Sequence, residues 1–268
     1  MARESSTIPS EALERAQKLL STWQIPPEFV AGLLEHRFPI TFAKGDPVFT
    51  QGSAADVAYL VLSGWVKVYI PLPDGNRVVV QVAGAGDFIG MVETPGTNAR
   101  QVQALEAEAM SKASVAIFTR DHVLTMLKSV AAPRLVALIE NLNTSWSESF
   151  LWCARFLGLS FRDRLLLVLQ SLARRCGVRE ARGVLLTIEL SHKDLAEMIA
   201  SSRPMASRLV CDLCRQGQLA RQGRHYILVI PNGTDSVRPL RLQPNAAGDS
   251  RFRRVLHNRA PLRAADLK

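Results

Sequence analysis

SHKDLAEMIASSRPMASRLVCDLCRQG, residues 191–217, sets two short amphipathic runs on either side of a few small residues. Ser191 with Asp194 three residues on has the spacing of a capping box, with Asp in place of the usual Glu or Gln. Leu195, Met198 and Ile199 give the first run its apolar face. The chain then turns through Ala200 and Ser201, and Ser202 is placed to cap a second helix running from Arg203 to about Gln216. Pro204 suits that helix's first turn, where its missing N–H costs nothing. At about 100° per residue, Ala206, Leu209, Val210 and Leu213 gather into one buried stripe. Arg203, Pro204, Ser207, Arg208, Cys211, Cys214 and Arg215 face the other way, so the outward N-terminal turns carry two arginines, a serine and a proline, and no acid. Gly217 ends the helix, and QLARQGRHYILVI reads as a hairpin with Gly223 at its tip and Arg221, Arg224 and His225 around it. Two helices in a tight turn followed by a basic hairpin describe a winged helix-turn-helix, whose second helix is expected to enter the DNA major groove by its first turns; a non-binding winged helix used for protein contacts is the other reading. Arginine reads guanine O6 and N7 bidentately, which is the chemistry of Arg203 and Arg208 beside Ser207. Ser191, Lys193, Ser202 and Arg224 suit phosphate oxygens.

Charge agrees with this reading. Residues 1–160 hold 13 Lys and Arg against 15 Asp and Glu, whereas residues 161–268 hold 20 against 9. Such asymmetry within one chain points to a polyanionic partner for the basic part. There is no run of about 18 apolar residues to span a membrane, and MARESSTIPSEALERAQ has no apolar segment of secretory type. Four cysteines, at 153, 176, 211 and 214, make no disulfide framework and read as cytosolic thiols.

Upstream, residues 10–38 read as short helical turns with Trp23, Phe29, Leu33 and Leu34 as apolar anchors. From Phe42 to Glu93 the texture is β-rich. Short runs supplied by Val61, Val66, Val68, Ile70, Val78, Val79, Val80 and Val82 are punctuated by glycines, and PDG at 73–75 marks a hairpin. Many short strands at regular turn spacing argue for an antiparallel sandwich or jelly roll. ASVAIF, residues 113–118, closes it, and Thr119 caps a short helix. From Pro133 to about Leu157 glycine and proline are otherwise absent. Leu135, Ile139, Leu142, Trp146, Cys153 and Phe156 alternate in steps of four and three, with Ser149 at the one polar seam position. The seam predicts two identical helices side by side; a core helix packed on its own domain is the other reading. A second row, Leu138, Phe150 and Leu157, is placed to face the β-domain.

The order of β-roll, long helix and winged helix resembles the CRP/FNR superfamily of bacterial transcription regulators. FxKGDxVFxQGSxADxxYLVLSGxVKVY and LPDGNRVVVQVAGAGDFIG are similar to its sensor domain, and LSHKDLAEMIASSRPMASRL to its DNA-binding element; the likeness runs from about Phe29 to Ile230. It implies an α+β chain that is no enzyme. The parts are a helical lead-in at 1–38, a cyclic-nucleotide-binding-domain-like jelly roll at 39–132, a dimerisation helix at 133–158, a winged helix-turn-helix at 159–230 and a basic tail at 231–268. It further implies a cytoplasmic homodimer that binds a palindromic operator on double-stranded DNA and contacts RNA polymerase. The family's base contacts map to Arg203, Ser207 and Arg208. Pro204 stands where a base-contacting glutamate is common, so the operator is expected to depart from the family's common half-sites.

The effector pocket departs from the pattern. Cyclic-nucleotide-binding members carry Gly-Glu-Leu followed by Arg-Ser or Arg-Thr; the matching positions here read Gly90-Met91-Val92 and Arg100-Gln101. Met91 is a poor acceptor for a ribose hydroxyl, while Arg100 retains the means to hold an anion. Ser149 is open to two roles, closing over an effector or setting the dimer register. A small-molecule effector other than cyclic AMP is expected, with no cofactor or metal. Regulation by abundance alone, or a divergent cyclic-nucleotide pocket, are the alternatives. The iron–sulfur members' N-terminal cysteine cluster has no counterpart before Cys153, and His36, His122 and Met91 show no spacing that selects a haem. Cys211 and Cys214 stand as thiol sensors or inert surface thiols, two ligands being too few for zinc. The tail, with 8 Lys and Arg against 3 acids, reads as disordered, either adding phosphate attraction or only solvated.

Overall fold

The structure, a computed structural model, describes residue 14 and residues 39–54, 56–90, 103–133, 135–136, 139–140, 143, 153–154 and 156–229. The anchors expected in 1–38 and the tail at 231–268 lie outside the described residues, apart from residue 14.

Alternating side chains build the β-roll from two antiparallel sheets. β1 (Ile40–Phe42), β8 (Ala113–Thr119), β3 (Val57–Ser63) and β6 (Phe88–Ile89) lie in that order in one; β2 (Pro47–Phe49), β7 (Glu106–Ala109), β4 (Val66–Pro71) and β5 (Arg77–Ala83) in the other. Between them Phe49, Val61, Val66, Val68, Ile89, Ala107, Ala109 and Val115 are buried in one core. β7 shows the period-two rule plainly: Ala107 and Ala109 are buried, while Glu106 accepts from the Tyr69 hydroxyl at 2.7 Å and Glu108 from Arg77 at 2.8 Å. The PDG turn joins β4 to β5, with Gly75 at φ +81° and its N–H donating to the Leu72 carbonyl at 3.0 Å. β8 is an inner strand between β1 and β3.

Thr119 stands at the N-cap of α1 (Arg120–Ser129). Beyond it, 132–133, 135–136, 139–140, 143, 153–154 and 156–157 are helical. Ile139 and Cys153 of the expected seam are exposed and Leu135 is half-buried, whereas Leu142, Trp146 and Ser149 lie outside the described residues. The last seam position needs correction. Phe156 is buried, 7% exposed, beneath the Arg164 guanidinium, while Leu157, expected to face the β-domain, is 73% exposed. The reason is local. The chain turns at Gly158, Leu159 N–H donates to the Phe156 carbonyl at 3.1 Å, and Arg164 beyond that turn folds back over the Phe156 ring.

Ser160 caps α2 (Phe161–Cys176), whose apolar stripe of Leu165, Val168, Leu169, Leu172 and Ala173 is buried. β9 (Gly177–Glu180), β10 (Gly183–Leu186), α3 (His192–Met198), α4 (Arg203–Arg215), β11 (Leu219–Gln222) and β12 (His225–Val229) follow. The two hairpins expected separately form one sheet, β11-β12-β10-β9, because β10 pairs with β12. Among the described residues, no helix is long and apolar enough to cross a membrane.

Candidate nucleic-acid interface and effector site

The helix pair is fixed by its caps. Ser191 accepts from the Asp194 N–H at 3.1 Å, and Asp194 accepts in return from the Ser191 N–H at 3.0 Å, so the Asp version of the capping box closes. Ile199 ends α3, and Ala200 takes φ +52° while Ser201 N–H donates to the Ala196 carbonyl at 2.9 Å. That is a left-handed helix stop built on alanine, where glycine is usual. Ser202 then caps α4 by accepting from Met205 N–H, with Pro204 in the first turn.

Ala206, Val210 and Leu213 bury the inner face of α4, and Leu209, expected in that stripe, is only half-buried. The buried arc is therefore narrower than the wheel suggested. Arg203, Pro204, Arg208 and Cys211 are exposed, so both candidate base-reading arginines are open to solvent. Ser207 beside them is half-buried, and its Oγ lies 2.7 Å from His192 Nδ1. Lys193 stands exposed on α3, 3.8 Å from Glu197, and Arg224 projects from the wing beside Gly223, 80% exposed and 3.7 Å from Glu189. Ser191 corrects the expectation of a phosphate donor: its hydroxyl donates to Asp194 Oδ2 at 2.6 Å, so the cap already uses that proton. Burial, followed by the neighbouring Cys211, pushes the Cys214 thiol up.

α3 is also pinned from behind. Lys67 of β4, 2% exposed, donates to Glu197 Oε2 at 2.9 Å and Asp194 Oδ1 at 3.0 Å, with Glu108 Oε1 at 3.4 Å. Arg77 on Glu108 and Lys193 on Glu197 complete a network of three bases and three acids. Burial alone would lower the Lys67 ammonium, but the Glu197 hydrogen bond and the Asp194 charge carry it above its ordinary value. Burial would likewise raise Asp194, yet the Ser191 hydrogen bond and Lys67 hold it below its ordinary value. Arg175 of α2 adds contacts to the Val82 carbonyl and Asp87, and Lys44 to Glu189 at 3.1 Å. Sequence reading missed this joint, since Lys67 sits in an alternating strand with nothing local to mark it.

Of the expected effector positions, Met91, Arg100, Gln101 and Ser149 lie outside the described residues. Gly90 is placed: it has φ +64°, and a Cβ there would stand 2.6 Å from the Tyr59 ring and 3.2 Å from Phe49. Those two rings stack with centroids 5.2 Å apart, so Gly90 is fixed by backbone conformation and close packing. Gln103, which the sequence gave no reason to single out, is 3% exposed, and among the described residues its Nε2 has no hydrogen-bond partner. Its backbone is held by Ser53 and Gly52 at 2.8 and 2.9 Å.

A cyclic nucleotide-binding domain model matches residues 39–130, and a Crp-like helix-turn-helix domain model matches residues 163–233. The CRP-like cAMP-activated global transcriptional regulator of Mycobacterium tuberculosis is 24% identical over 211 residues, 76% of this chain and 89% of that protein. The transcriptional regulator LdrP of Thermus thermophilus is 27% identical over 192 residues, 70% of this chain and 90% of that protein. The solved structure of the c-di-GMP responsive global regulator CLP of Xanthomonas campestris superposes with a TM-score of 0.59 at 19% identity, covering 83% of this chain and 100% of that one. With a β-roll that matches the first model and a capped helix pair and wing that match the second, the chain belongs to the CRP/FNR superfamily of transcription regulators.

Proposed function

We propose that the chain is a homodimeric, sequence-specific DNA-binding regulator of the bacterial cytoplasm whose α4 reads a palindromic operator through Arg203, Ser207 and Arg208. Lys193, Ser202 and Arg224 hold phosphates in this reading, and RNA polymerase is the further partner. The observation that carries it is the first two turns of α4: exposed arginines at 203 and 208 with no acid between them, on a helix whose other face is buried. Bidentate arginine contacts discriminate bases, whereas Lys193 and Arg224 add affinity without sequence information. The exposure of Ile139 and Cys153 supports a second copy along the linking helix, which would hold two half-sites about one DNA turn apart. Sequencing the DNA that the purified chain retains from a random pool tests the reading. A two-fold symmetric motif is the expected result; retention of all sequences alike contradicts it.

The effector belongs to the same proposal. Met91 in place of a carboxylate removes a ribose acceptor, a loss of about 1–3 kcal/mol, or roughly fivefold to more than a hundredfold in cyclic AMP affinity. Among the described residues the buried Gln103 Nε2 meets no acceptor, which suits an effector presenting an oxygen or nitrogen acceptor near the Ser53 turn. A second reading, cyclic-nucleotide control through a divergent pocket, is favoured by the domain match at 39–130 and by the similarity to a cAMP-activated regulator. Titration calorimetry with cyclic AMP and cyclic GMP separates them: micromolar binding that also tightens operator binding establishes the second.

A further inference from the structure

A serine hydroxyl on a DNA-reading face is ambiguous. It carries one donor and two acceptor lone pairs, rotates freely, and so accommodates bases of either polarity. Ser207 is not free in this way. His192, the first residue of α3, places Nδ1 2.7 Å from Ser207 Oγ, and both side chains are half-buried between the two helices. If Nδ1 is bare, it takes the hydroxyl proton and Ser207 shows only lone pairs outward. If Nδ1 carries its proton, it donates to Oγ and the hydroxyl hydrogen is left to point outward. Only the first arrangement fixes the rotor, because a hydroxyl that accepts from Nδ1–H still carries both a proton and a lone pair; discrimination therefore requires Nδ1 as the acceptor.

We propose that His192 is a positioning residue for base recognition: through Nδ1 it fixes the Ser207 hydroxyl, and so makes a promiscuous side chain discriminate at one base pair. This rests on the reading of α4 as the DNA-contacting helix. Ser207 is preceded by Arg203 one turn earlier and followed by Arg208, so it lies among the residues that address base edges. The discrimination is between a base edge offering an amino donor, cytosine N4 or adenine N6, and one offering only acceptors there, such as thymine O4.

The test is selection from a random DNA pool by the full chain and three single variants, His192→Ala, His192→Asn and Ser207→Gly, with the double variant His192→Ala/Ser207→Gly. The parent should discriminate at the Ser207 base pair by about threefold to tenfold, the range of one hydrogen bond's net contribution. His192→Ala should lose that discrimination while keeping the parental motif everywhere else. Ser207→Gly should lose it equally, and the double variant should lose no more than either. His192→Asn should restore discrimination, because its amide returns a hydrogen-bonding atom to the position of Nδ1. Thermal melting keeps loss of fold apart from loss of reading. The proposal is overturned if His192→Ala retains the parental preference, relaxes several positions together, or is not rescued by Asn. A motif lost on Arg208→Ala but intact on His192→Ala refutes this inference alone; a parent that enriches no motif refutes the DNA reading itself.

Discussion

The β-roll core and the joint between the roll and α3 are both buried, but they hold by different physics. Leu60, Val61, Val66 and Val115 are fully buried among other apolar side chains, whose attraction has no preferred direction and falls off gradually with imperfect packing. The joint instead rests on Lys67 among Glu108, Asp194 and Glu197, where every member has a specified partner. An intact network offsets its own desolvation, whereas removing one member leaves the rest charged, buried and unmatched. The core therefore sets whether the roll folds. The joint sets where the DNA-reading helices stand relative to it.

The largest effect is expected at Lys67. Lys67→Ala strands Asp194 and Glu197 and should cost about 3–5 kcal/mol in denaturant unfolding. Replacing Lys67, Asp194 and Glu197 together by apolar residues of similar volume should cost far less, and that rescue is what distinguishes an ionic joint from a packed one. Leu60→Ala in the core should cost about 2–5 kcal/mol, with no second-site replacement across the joint able to relieve it.

A smaller effect comes from pH. Asp194 has a carboxyl held below its ordinary value of 3.8, so its contribution is complete above that value and is lost as pH falls beneath it. Asp194→Asn should lower stability by about 1–3 kcal/mol at neutral pH. The gap between parent and variant in urea midpoint should close as pH drops below 3.8. A gap that stays constant into acid would show that Asp194 acts through shape alone. The smallest change is a gain. Ala200 stands at φ +52°, and Ala200→Gly should raise stability by about 0.5–1 kcal/mol by relieving a left-handed alanine, with unchanged DNA binding.

How much of this was legible follows the range of each interaction. The capping box at Ser191 and Asp194, the Ser202 cap and the Gly75 turn were readable because each is made within three residues. The family resemblance was readable because glycine punctuation and the helix-pair spacing are local too. Lys67 was not, since its partners lie 127 and 130 residues away and a lysine in VKVY looks like any solvent-facing strand residue. His192 with Ser207 was closer to hand, 15 residues apart, but singling it out required knowing which faces of two helices meet. A heptad count puts Phe156 on the seam because it cannot see Arg164 folding back over that ring, and a helical wheel puts Leu209 too deep because it does not show how wide the partner surface is.

In the proposed reading Arg208, exposed on α4, contacts a base edge. Fluorescence anisotropy of the parent and Arg208→Ala on the selected operator and on a scrambled duplex tests it most directly. A loss of about 1–3 kcal/mol is expected on the operator, roughly fivefold to more than a hundredfold, with a much smaller change on the scrambled duplex. Equal affinity of parent and variant for the operator would contradict it.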